Sequence, residues 1–381
     1  MNAALPDQAR HFAAVNHQEA LGLLRTLARI PAPSHHEDRR AAFVCQWLHD
    51  NGLAAAYVDE ATNVICPIID DGSCDLVVFA AHTDVVFADT DELPLREDGG
   101  RLYAPGVGDD TANLVALLMA ARELARHPDM LPDGLGVLVV ADSCEEGLGN
   151  LKGTRALFDS YGSRIRRFYS FDLYLPQCIS DAVGSHRWQI EVTTQGGHSF
   201  EDFGRPNAIE RLCALVEELY RLELPADVPS TLNVGTIEGG TTVNAIAGHA
   251  RALFEYRSTS DAVLHDLHAQ MERIVASFAS DGVSIDVSSA GERPASAPRT
   301  PELERMTALS CDVIQALTGE EPDLRPASTD ANIPLSLGIP ANTVGAVRGA
   351  LLHTRDEWVD AASVADGLAL AYALMQAQGE L

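Results

Sequence analysis

The chain has 381 residues, 46% of them hydrophobic, and a formal net charge of −28 at pH 7. That length allows one large or two ordinary globular domains, and the excess of acidic residues disfavours nucleic acid or an anionic membrane as a partner. The sequence contains no run of about 18 uncharged apolar residues, and its first residues lack the basic and then apolar order of a signal peptide. We therefore expect no contact with membranes and a cytoplasmic location.

The first part of the chain alternates predicted helices and strands. Its apolar runs are continuous, which is typical of strands buried on both faces of a parallel sheet. This alternation predicts an α/β fold in which a mainly parallel central sheet is flanked by helices. In chain order, the elements are helices over 16–29 and 37–51, a strand over 76–84, a helix over 111–127 and strands over 135–142 and 166–173.

The pattern changes near Ser185, where strands begin to alternate polar and apolar residues as half-exposed strands do. From there the order is strand, helix, strand, strand, helix, strand, which predicts a ferredoxin-like α+β domain. The segment "GERPASAPRTP" then leads back to the first domain, whose final predicted helix covers 359–378. We thus predict a discontinuous catalytic domain, 1–186 and 293–381, and an inserted domain over 187–292.

Polar side chains gather where the predicted strands of the first domain end. In doubly wound sheets, ligands bind at the carboxyl ends of the strands, and histidine and carboxylate groups suit metal ions such as zinc. Each cluster also has an ordinary explanation, since the aspartates of "GVGDD", for example, could cap the following helix. Together the clusters predict a carboxylate-rich metal centre. Its residues are His82 and Asp84 in "HTD", Asp109 and Asp110 in "GVGDD", Glu145 and Glu146 in "CEEG", Asp172 in "SFD" and His353 in "LLHTRDE".

The seven cysteines are consistent with this choice of ligands, because they are scattered and form no CxxC pair. They indicate neither a disulfide framework nor a thiolate zinc site. A metal ion in this protein would therefore be held by histidine and carboxylate groups.

Taken in order, these segments resemble the dinuclear zinc metallopeptidase family of peptidase T, glutamate carboxypeptidases, aminoacylases, acetylornithine deacetylase and succinyl-diaminopimelate desuccinylase. The resemblance covers nearly the whole chain and includes a further motif, "GGHS", in the inserted domain. It implies that the inserted domain is a lid and dimerisation domain, so we expect a homodimer.

The resemblance also implies a ligand set for two Zn²⁺ ions per chain, with Co²⁺ or Mn²⁺ as alternatives. His82 and Asp172 would hold one ion, Glu146 and His353 the other, and Asp109 would bridge both. Two cations about 3.5–4 Å apart can clamp the attacking and leaving oxygens and lower the pKa of water.

Two further residues receive catalytic roles from the resemblance. Glu145 would be the general base that takes a proton from the metal-bridging water and passes it to the leaving amine. Asp84 would be the partner that orients His82. A catalytically inactive metal-binding protein would be expected to lack the base or a ligand, and none is missing from this sequence.

Three residues of the inserted domain match substrate-contacting positions of the family. His198 in "GGHS" would reach the active site of the partner subunit and bind the oxyanion. Asn244 would contact the substrate, and Arg257 would bind its carboxylate. On the residues alone, His198 could also be a surface or turn histidine, and Arg257 part of a structural ion pair.

Two positions depart from the family pattern. Thr111 stands where the family often has lysine, a change that concerns a contact behind the ligands and not a ligand. Cys144 stands where an acid often precedes the glutamate pair. A packed thiol is the favoured interpretation of Cys144, and an outer ligand and a redox-sensitive thiol are the alternatives.

The sequence thus predicts a metal-dependent hydrolase of amide bonds. We expect an exopeptidase on short peptides, of the tripeptide aminopeptidase type, because of the double aspartate and the "EEGLGNLKGTR" continuation. An N-acyl-amino-acid deacylase, of the acetylornithine deacetylase or desuccinylase type, is the alternative, since the same attack by water cleaves both kinds of substrate. A nucleotide-binding protein is disfavoured because the acids of "GVGDD" would face the phosphates.

Overall fold

The computed structural model of the protein describes residues 5–132 and 134–381. Residues 1–4 and 133, which the sequence places in the catalytic domain, lie outside the described residues. Among the described helices, none combines the length and the apolar character needed to cross a bilayer.

The described chain divides into two units. One comprises the residues up to Ala182 together with Ala297–Leu381, and the other comprises Val183–Ser296. The helices within the described residues are α1 Leu5–Leu27, α2 Asp38–Asp50, α3 Asn113–Arg126, α4 Lys152–Tyr161, α5 Ala208–Leu219, α6 Asp261–Ser277, α7 Pro301–Thr318, α8 Asn332–Ser336 and α9 Val364–Gln376. The strands are β1 Tyr57–Val58, β2 Val64–Ile69, β3 Asp75–His82, β4 Arg96–Asp98, β5 Arg101–Tyr103, β6 Leu135–Asp142, β7 Ile165–Phe171, β8 Gln177–Ile179, β9 Gly184–Thr194, β10 Gly197–His198, β11 Ser230–Gly239, β12 Ala245–Ile246, β13 His249–Ser258, β14 Val283–Arg293, β15 Asp323–Leu324, β16 Ala341–Val344, β17 Gly349–Ala350 and β18 Trp358–Asp360.

The central sheet of the first unit has the strand order β1-β2-β6-β3-β7-β16-β8-β15. Its inner strands β6, β3, β7 and β16 run parallel to one another. The register pairs His82 with Asp142 and Val344 with Phe171, so the carboxyl ends of these four strands lie at one edge of the sheet. Ligands bind at this edge in parallel sheets.

Burial on both faces explains the continuous apolar sequence of the inner strands. Alternate residues of β3 enter two different apolar cores, because side chains of a strand point to opposite faces. Val77 and Phe79 belong to the core that contains α1, α3 and α9. Leu76 and Val78 belong to the core that contains residues of α4 and α8. The predicted α/β class, with helices flanking a mainly parallel sheet, is confirmed.

The second unit is a four-stranded antiparallel sheet with two helices. Its strand order is β11-β13-β9-β14, and every pairing is antiparallel. Residues of α5 and α6 share an apolar core with alternate residues of the sheet, such as Ile190 and Val192 of β9 and Phe254 of β13. The unit has the element order and the sheet of the predicted ferredoxin-like fold.

The helix predicted over 16–29 begins earlier, at Leu5, and two further helix boundaries differ from the sequence prediction. The helix predicted over 359–378 begins at Val364, because Trp358–Asp360 form β18 and pair with β5. The helix predicted over 111–127 becomes regular at Asn113, since the segment Val107–Ala112 before it is kinked at Asp109, whose φ of −110° and ψ of 88° are not helical. In both places tertiary pairing or the site loop overrides a helical sequence pattern.

Candidate metal centre

Side chains from separate segments meet at the carboxyl edge of the central sheet. His82 is the last residue of β3, and Asp172 directly follows β7. Glu145 and Glu146 follow β6, and His353 lies in the turn between β17 and β18. The side chain of His353 is 49% exposed, whereas the other four residues are buried. Four of these positions lie at or close to the end of an inner strand, so a rigid element positions each of them.

Asp109 comes from a loop and not from a strand. Gly106, with a φ of 69°, leads into the segment Val107–Ala112, which is kinked at Asp109. Its two carboxylate oxygens face different imidazoles: Oδ1 lies 3.0 Å from Nε2 of His82, and Oδ2 lies 3.0 Å from Nε2 of His353. One carboxylate therefore lies between two histidines, as a ligand that bridges two ions must.

The donor atoms form two groups that share Asp109. In the first group, ligand atoms of His82, Asp109 and Asp172 lie within 4.8 Å of one another. In the second, the same holds for Asp109, Glu146 and His353. Imidazole nitrogens and carboxylate oxygens suit Zn²⁺, and also Co²⁺ or Mn²⁺. The structure brings all five predicted ligands together, in the two sets that the resemblance implies.

Glu145 lies beside these groups. A ligand atom of Glu145 is within 4.8 Å of ligand atoms of His82 and Glu146, and the side chain is buried. Glu146, by contrast, has its carboxylate 3.2 Å from Nε2 of His353. The two neighbouring acids therefore have different surroundings, and Glu145 lies next to one candidate ligand of each group, His82 and Glu146.

Asp84 lies behind His82 and the glutamate pair. Its Oδ1 is 3.4 Å from Nδ1 of His82 and accepts the backbone N–H of Glu145 at 3.0 Å. Its Oδ2 accepts the backbone N–H of Glu146 at 2.9 Å and the hydroxyl of Ser34 at 2.6 Å. Nδ1 of His82 also lies 3.1 Å from the backbone carbonyl oxygen of Asp84. Asp84 thus orients a predicted ligand through its carbonyl and carboxylate oxygens, and its carboxylate also holds the backbone that carries the predicted base.

The buried carboxyl groups of the cluster require positive charge nearby if they are to be ionised. Burial, reinforced by the charge of Asp109, raises the pKa of Asp172 well above its ordinary range and that of Glu146 to about 8. Burial also opposes ionisation of Asp109, but hydrogen bonds with His353 and His82 lower its pKa. Hydrogen bonds with Asp109 and Glu146 raise the pKa of His353 to about 10. Positive charge beside these carboxyl groups would lower the cost of ionising them, and divalent cations held by the cluster would supply that charge.

Sequence reasoning missed a second layer of buried charge. Asp330 accepts the hydroxyl of Thr154, and burial raises the pKa of Asp142 to about 7. Arg40 is fully buried and donates to the carbonyl of Thr83, the residue between His82 and Asp84, at 2.8 Å. Asp142 was recognisable as the end of a predicted strand. Arg40 lies in an amphipathic helix and Asp330 in a loop, so neither had a sequence signal.

Two of the predicted substrate-contacting residues are neighbours in the second unit. His198 on β10 pairs with Ala245 on β12. The backbone N–H of Ser199 donates to the carbonyl of Asn244 at 3.1 Å. Both His198 and Asn244 are exposed. The structure thus brings these two together on one end of the unit.

Arg257 lies apart from that pair. It is near the end of β13, whereas His249, at the start of β13, pairs with Thr193 close to β10. A strand rises about 3.3 Å per residue, which puts Arg257 about 25 Å from His249. The Nε of Arg257 donates to Glu255 at 3.0 Å, so the structural ion pair considered from the sequence is present.

Comparison with known proteins decides the family. The sequence pattern of the peptidase family M20/M25/M40 matches residues 78–377, which include all five candidate ligands. The chain belongs to this family. M20 proteins are metal-dependent and usually hold two ions, in agreement with the two donor groups that share Asp109.

The relatives of this M20 chain include both deacylases and peptidases. It is 24% identical over 370 residues to a succinyl-diaminopimelate desuccinylase of Corynebacterium glutamicum, covering 91% of this chain and 94% of that protein. It is 27% identical over 220 residues to the enzyme of that name from Bordetella parapertussis, covering 52% of this chain and 57% of the relative, so the match spans little more than half of that relative's length. The structure of aminopeptidase PepT from Bacillus cereus shares the fold, with a TM-score of 0.72 at 20% identity over 95% of this chain and 98% of that one.

Arg40 lies next to Thr111, the residue that stands where the family often has lysine. The Thr111 hydroxyl donates to the carbonyl of Gly106 at 2.6 Å, and a guanidinium nitrogen of Arg40 lies 3.4 Å from that hydroxyl. A buried cation from another helix therefore lies beside the position where the M20 family often has lysine.

Cys144 is a packed thiol. Its Sγ lies 3.2 Å from Oε1 of Glu37 and 3.4 Å from Nδ1 of His35. Burial and the charge of Glu37 raise the pKa of the thiol to about 12. Because the thiolate is the reactive form of cysteine, a redox-sensitive role is disfavoured.

The contacts of Asp84 predict a loss of metal affinity in Asp84→Asn. An amide offers one acceptor oxygen, so the backbone N–H of either Glu145 or Glu146 would face an amide donor. We expect metal binding about 10–100-fold weaker than in the parent protein, measured by calorimetric titration of the metal-free protein with Zn²⁺. Asp75→Asn is the control, because Asp75 carries the same charge in a surface pair with Arg166 at the start of β3, away from the candidate ligands. Equal affinity in the two variants would contradict the role assigned to Asp84.

Proposed function

We propose that this protein is a dinuclear metal-dependent amide hydrolase, and specifically an exopeptidase that acts on short peptides. The observation that carries the proposal is the position of Asp109, whose two oxygens face His82 and His353 at 3.0 Å each. A single carboxylate shared in this way supports two ions held side by side. A second carboxylate close by, that of Glu145, supports hydrolysis at the same place.

The ligands would divide as the two donor groups do. His82, Asp109 and Asp172 would hold one ion, and Asp109, Glu146 and His353 the other, with Zn²⁺ as the expected metal. When bound, such ions polarise the amide carbonyl and lower the pKa of water. The protein itself supplies a buried, preorganised set of donors, so little rearrangement is needed before reaction.

Glu145 is the residue that moves the proton. Its carboxylate takes a proton from the attacking water and delivers it to the nitrogen that leaves as an amine. Asp84 holds the backbone of Glu145 through a hydrogen bond of 3.0 Å. The base is therefore fixed in position beside the reacting water.

An N-acyl-amino-acid deacylase is the second candidate. It is favoured by the desuccinylase of Corynebacterium glutamicum, which this chain matches over 94% of that protein's length. The exopeptidase is favoured by the double aspartate at 109–110 and the "EEGLGNLKGTR" segment. Both substrates contain an amide that water can attack in the same way, so the metal centre serves either activity. We further propose a cytoplasmic location, in keeping with such small substrates.

We also propose that the protein works as a homodimer through the second unit, which would be the lid. His198 and Asn244 lie at one end of that unit and Arg257 at the other, about 25 Å away along β13. One lid cannot place both ends on a single small substrate. His198 and Asn244 would therefore serve the active site of a second copy. Exposed apolar side chains beside them, Phe200 at 85% and Phe203 at 89%, are consistent with contact there.

The choice of substrate is tested with Zn²⁺-loaded protein and three sets of compounds. These are tripeptides, peptides with a C-terminal glutamate, and N-acetyl or N-succinyl amino acids. We expect turnover of tripeptides, and release of the product amine is followed. Turnover of acylated amino acids alone would replace the exopeptidase with the deacylase.

The role of Glu145 predicts the behaviour of Glu145→Ala. Because the residue is outside the ligand set, the variant should bind the same amount of metal as the parent protein, measured by elemental analysis. Turnover should fall by about 10²–10⁴-fold, the usual contribution of a general base. Glu302→Ala, which removes an exposed glutamate of α7, should change neither quantity. Unchanged turnover in Glu145→Ala would remove the general-base assignment and would support a metal-binding protein without this activity.

If His198 of one copy serves the active site of the other copy, a mixture of two inactive variants should recover enzyme activity. Glu145→Ala and His198→Ala should each lose most activity alone. Refolded together in equal amounts, half of the dimers are mixed, and each mixed dimer has one site with an intact base and an intact histidine. We expect about a quarter of the parent activity in the mixture. A mixture as inactive as its components would show that His198 acts within its own chain, and full activity of His198→Ala alone would show that it does not act at all.

A further inference from the structure

We propose that Glu357 is the positioning residue that sets the place of Asp109, and with it the spacing of the two metal ions. The inference rests on the proposed function in one respect, that Asp109 is a metal ligand. Glu357 is 1% exposed and lies four positions after His353 in the chain. It is outside the donor groups themselves.

Glu357 accepts several hydrogen bonds from the loop that carries Asp109. Its Oε1 accepts the backbone N–H of Gly108 and that of Asp109, each at 2.8 Å, and its Oε2 accepts the N–H of Gly106 at 2.9 Å. The hydroxyl of Tyr174 donates to Oε1 at 2.9 Å. One carboxylate thus bonds to three N–H groups of a four-residue stretch, including that of the bridging residue.

The fit around Gly108 leaves this loop little freedom. A Cβ at Gly108 would lie 2.5 Å from Cε1 of Tyr174 and 2.9 Å from Oε1 of Glu357. Real Cβ contacts are not that short, so the second glycine of "GVGDD" allows the backbone to approach Glu357. The approach also brings the N–H of Asp109 within reach.

The same carboxylate connects the loop to the other ligand-bearing segments. Tyr174 follows Asp172 by two positions, so its bond to Glu357 ties the Asp109 loop to the Asp172 segment. Glu357 itself belongs to the His353 segment, and its carbonyl accepts the N–H of Ala104 at 3.2 Å. Glu357 therefore connects the three segments that carry Asp109, Asp172 and His353.

Asn113 holds the loop from its other side. Its amide nitrogen donates to the carbonyls of Gly108 at 3.0 Å and Leu173 at 3.1 Å, and its oxygen accepts the N–H of Ala346 at 2.9 Å. These bonds fix the carbonyl side of the loop, but they leave the N–H groups of Gly108 and Asp109 to Glu357.

An amide at position 357 could not make this set of bonds. A carboxylate offers only acceptors, whereas an amide has one acceptor oxygen and an NH₂ donor. In Glu357→Gln the NH₂ must face either the N–H of Gly106 or the donors around Gly108 and Tyr174. Buried N–H groups would then lack acceptors, and the loop would move until they found them. Asp109 moves with the loop, so both ions lose a correctly placed ligand.

The test compares metal affinity with stability in Glu357→Gln. Full-length, metal-free protein is titrated with Zn²⁺ in a calorimeter, and unfolding by urea is followed in the presence of chelator. We expect zinc binding to weaken by about 10–100-fold, with both bound ions affected because Asp109 is shared. The absorption spectrum of the Co²⁺-loaded variant should also change, since it reports the geometry of the ligands.

Two further variants separate positioning from general support of the segment. Asp360→Asn is the matched control, because Asp360 also accepts a backbone N–H, that of Ala362 at 3.0 Å, three positions along the same segment. It should lower stability to urea less than Glu357→Gln does, because it affects a single exposed hydrogen bond, while the Zn²⁺ affinity and Co²⁺ spectrum stay as in the parent. Tyr174→Phe removes one donor to Glu357 and should weaken zinc binding less than Glu357→Gln.

The inference is overturned if Glu357→Gln binds Zn²⁺ as tightly as the parent, or if Asp360→Asn loses affinity to the same extent. It is also overturned if the parent protein binds no Zn²⁺. If the parent binds two Zn²⁺ ions and Glu357→Gln binds them weakly, the inference stands. In that last case a failure to cleave any amide removes the proposed function alone.

Discussion

Several carboxyl groups are buried together where the parallel strands of the first unit end, and an ionised carboxylate in such a place requires donors or cations around it. This requirement organises the site. Asp109 lies between two imidazoles, whereas Asp84 and Glu357 accept backbone N–H groups. Burial still raises the pKa of Asp172 and Glu146. The arrangement is that of a protein built to hold positive ions.

The buried acidic residues have two structural roles. Some present oxygens to the space between the strand ends, as Asp109 and Glu146 do. Others hold the backbone of those ligands: Asp84 bonds to the glutamate turn, and Glu357 bonds to the Asp109 loop. A carboxylate suits the second task because it accepts from several N–H groups at once. The candidate ligands are therefore preorganised, which is a requirement of an efficient metal site.

Much of the fold could be predicted from the sequence, because periodicity depends on local chemistry. The uninterrupted apolar run of β3 indicated a strand buried on both faces, and its alternate residues do enter two cores. The site could be predicted in part for the same reason, since His82 and Asp172 end strands of a parallel sheet. The start of the last helix was wrong, because pairing of β18 with β5 outweighs the helical pattern of its sequence. The burial of Arg40 could not be predicted, because the sequence pattern of an amphipathic helix does not distinguish a buried arginine from a solvated one.

The sequence by itself determined the class of fold, the order of the motifs and the candidate ligands, since these depend on residue type and spacing along one chain. Only the tertiary structure decided that the two oxygens of Asp109 face different histidines, and that Glu357, far along the chain, accepts its N–H. It also separated His198 from Arg257, which the motif order treats alike. Distances between remote segments depend on how strands and loops pack, and packing is a property of the whole fold.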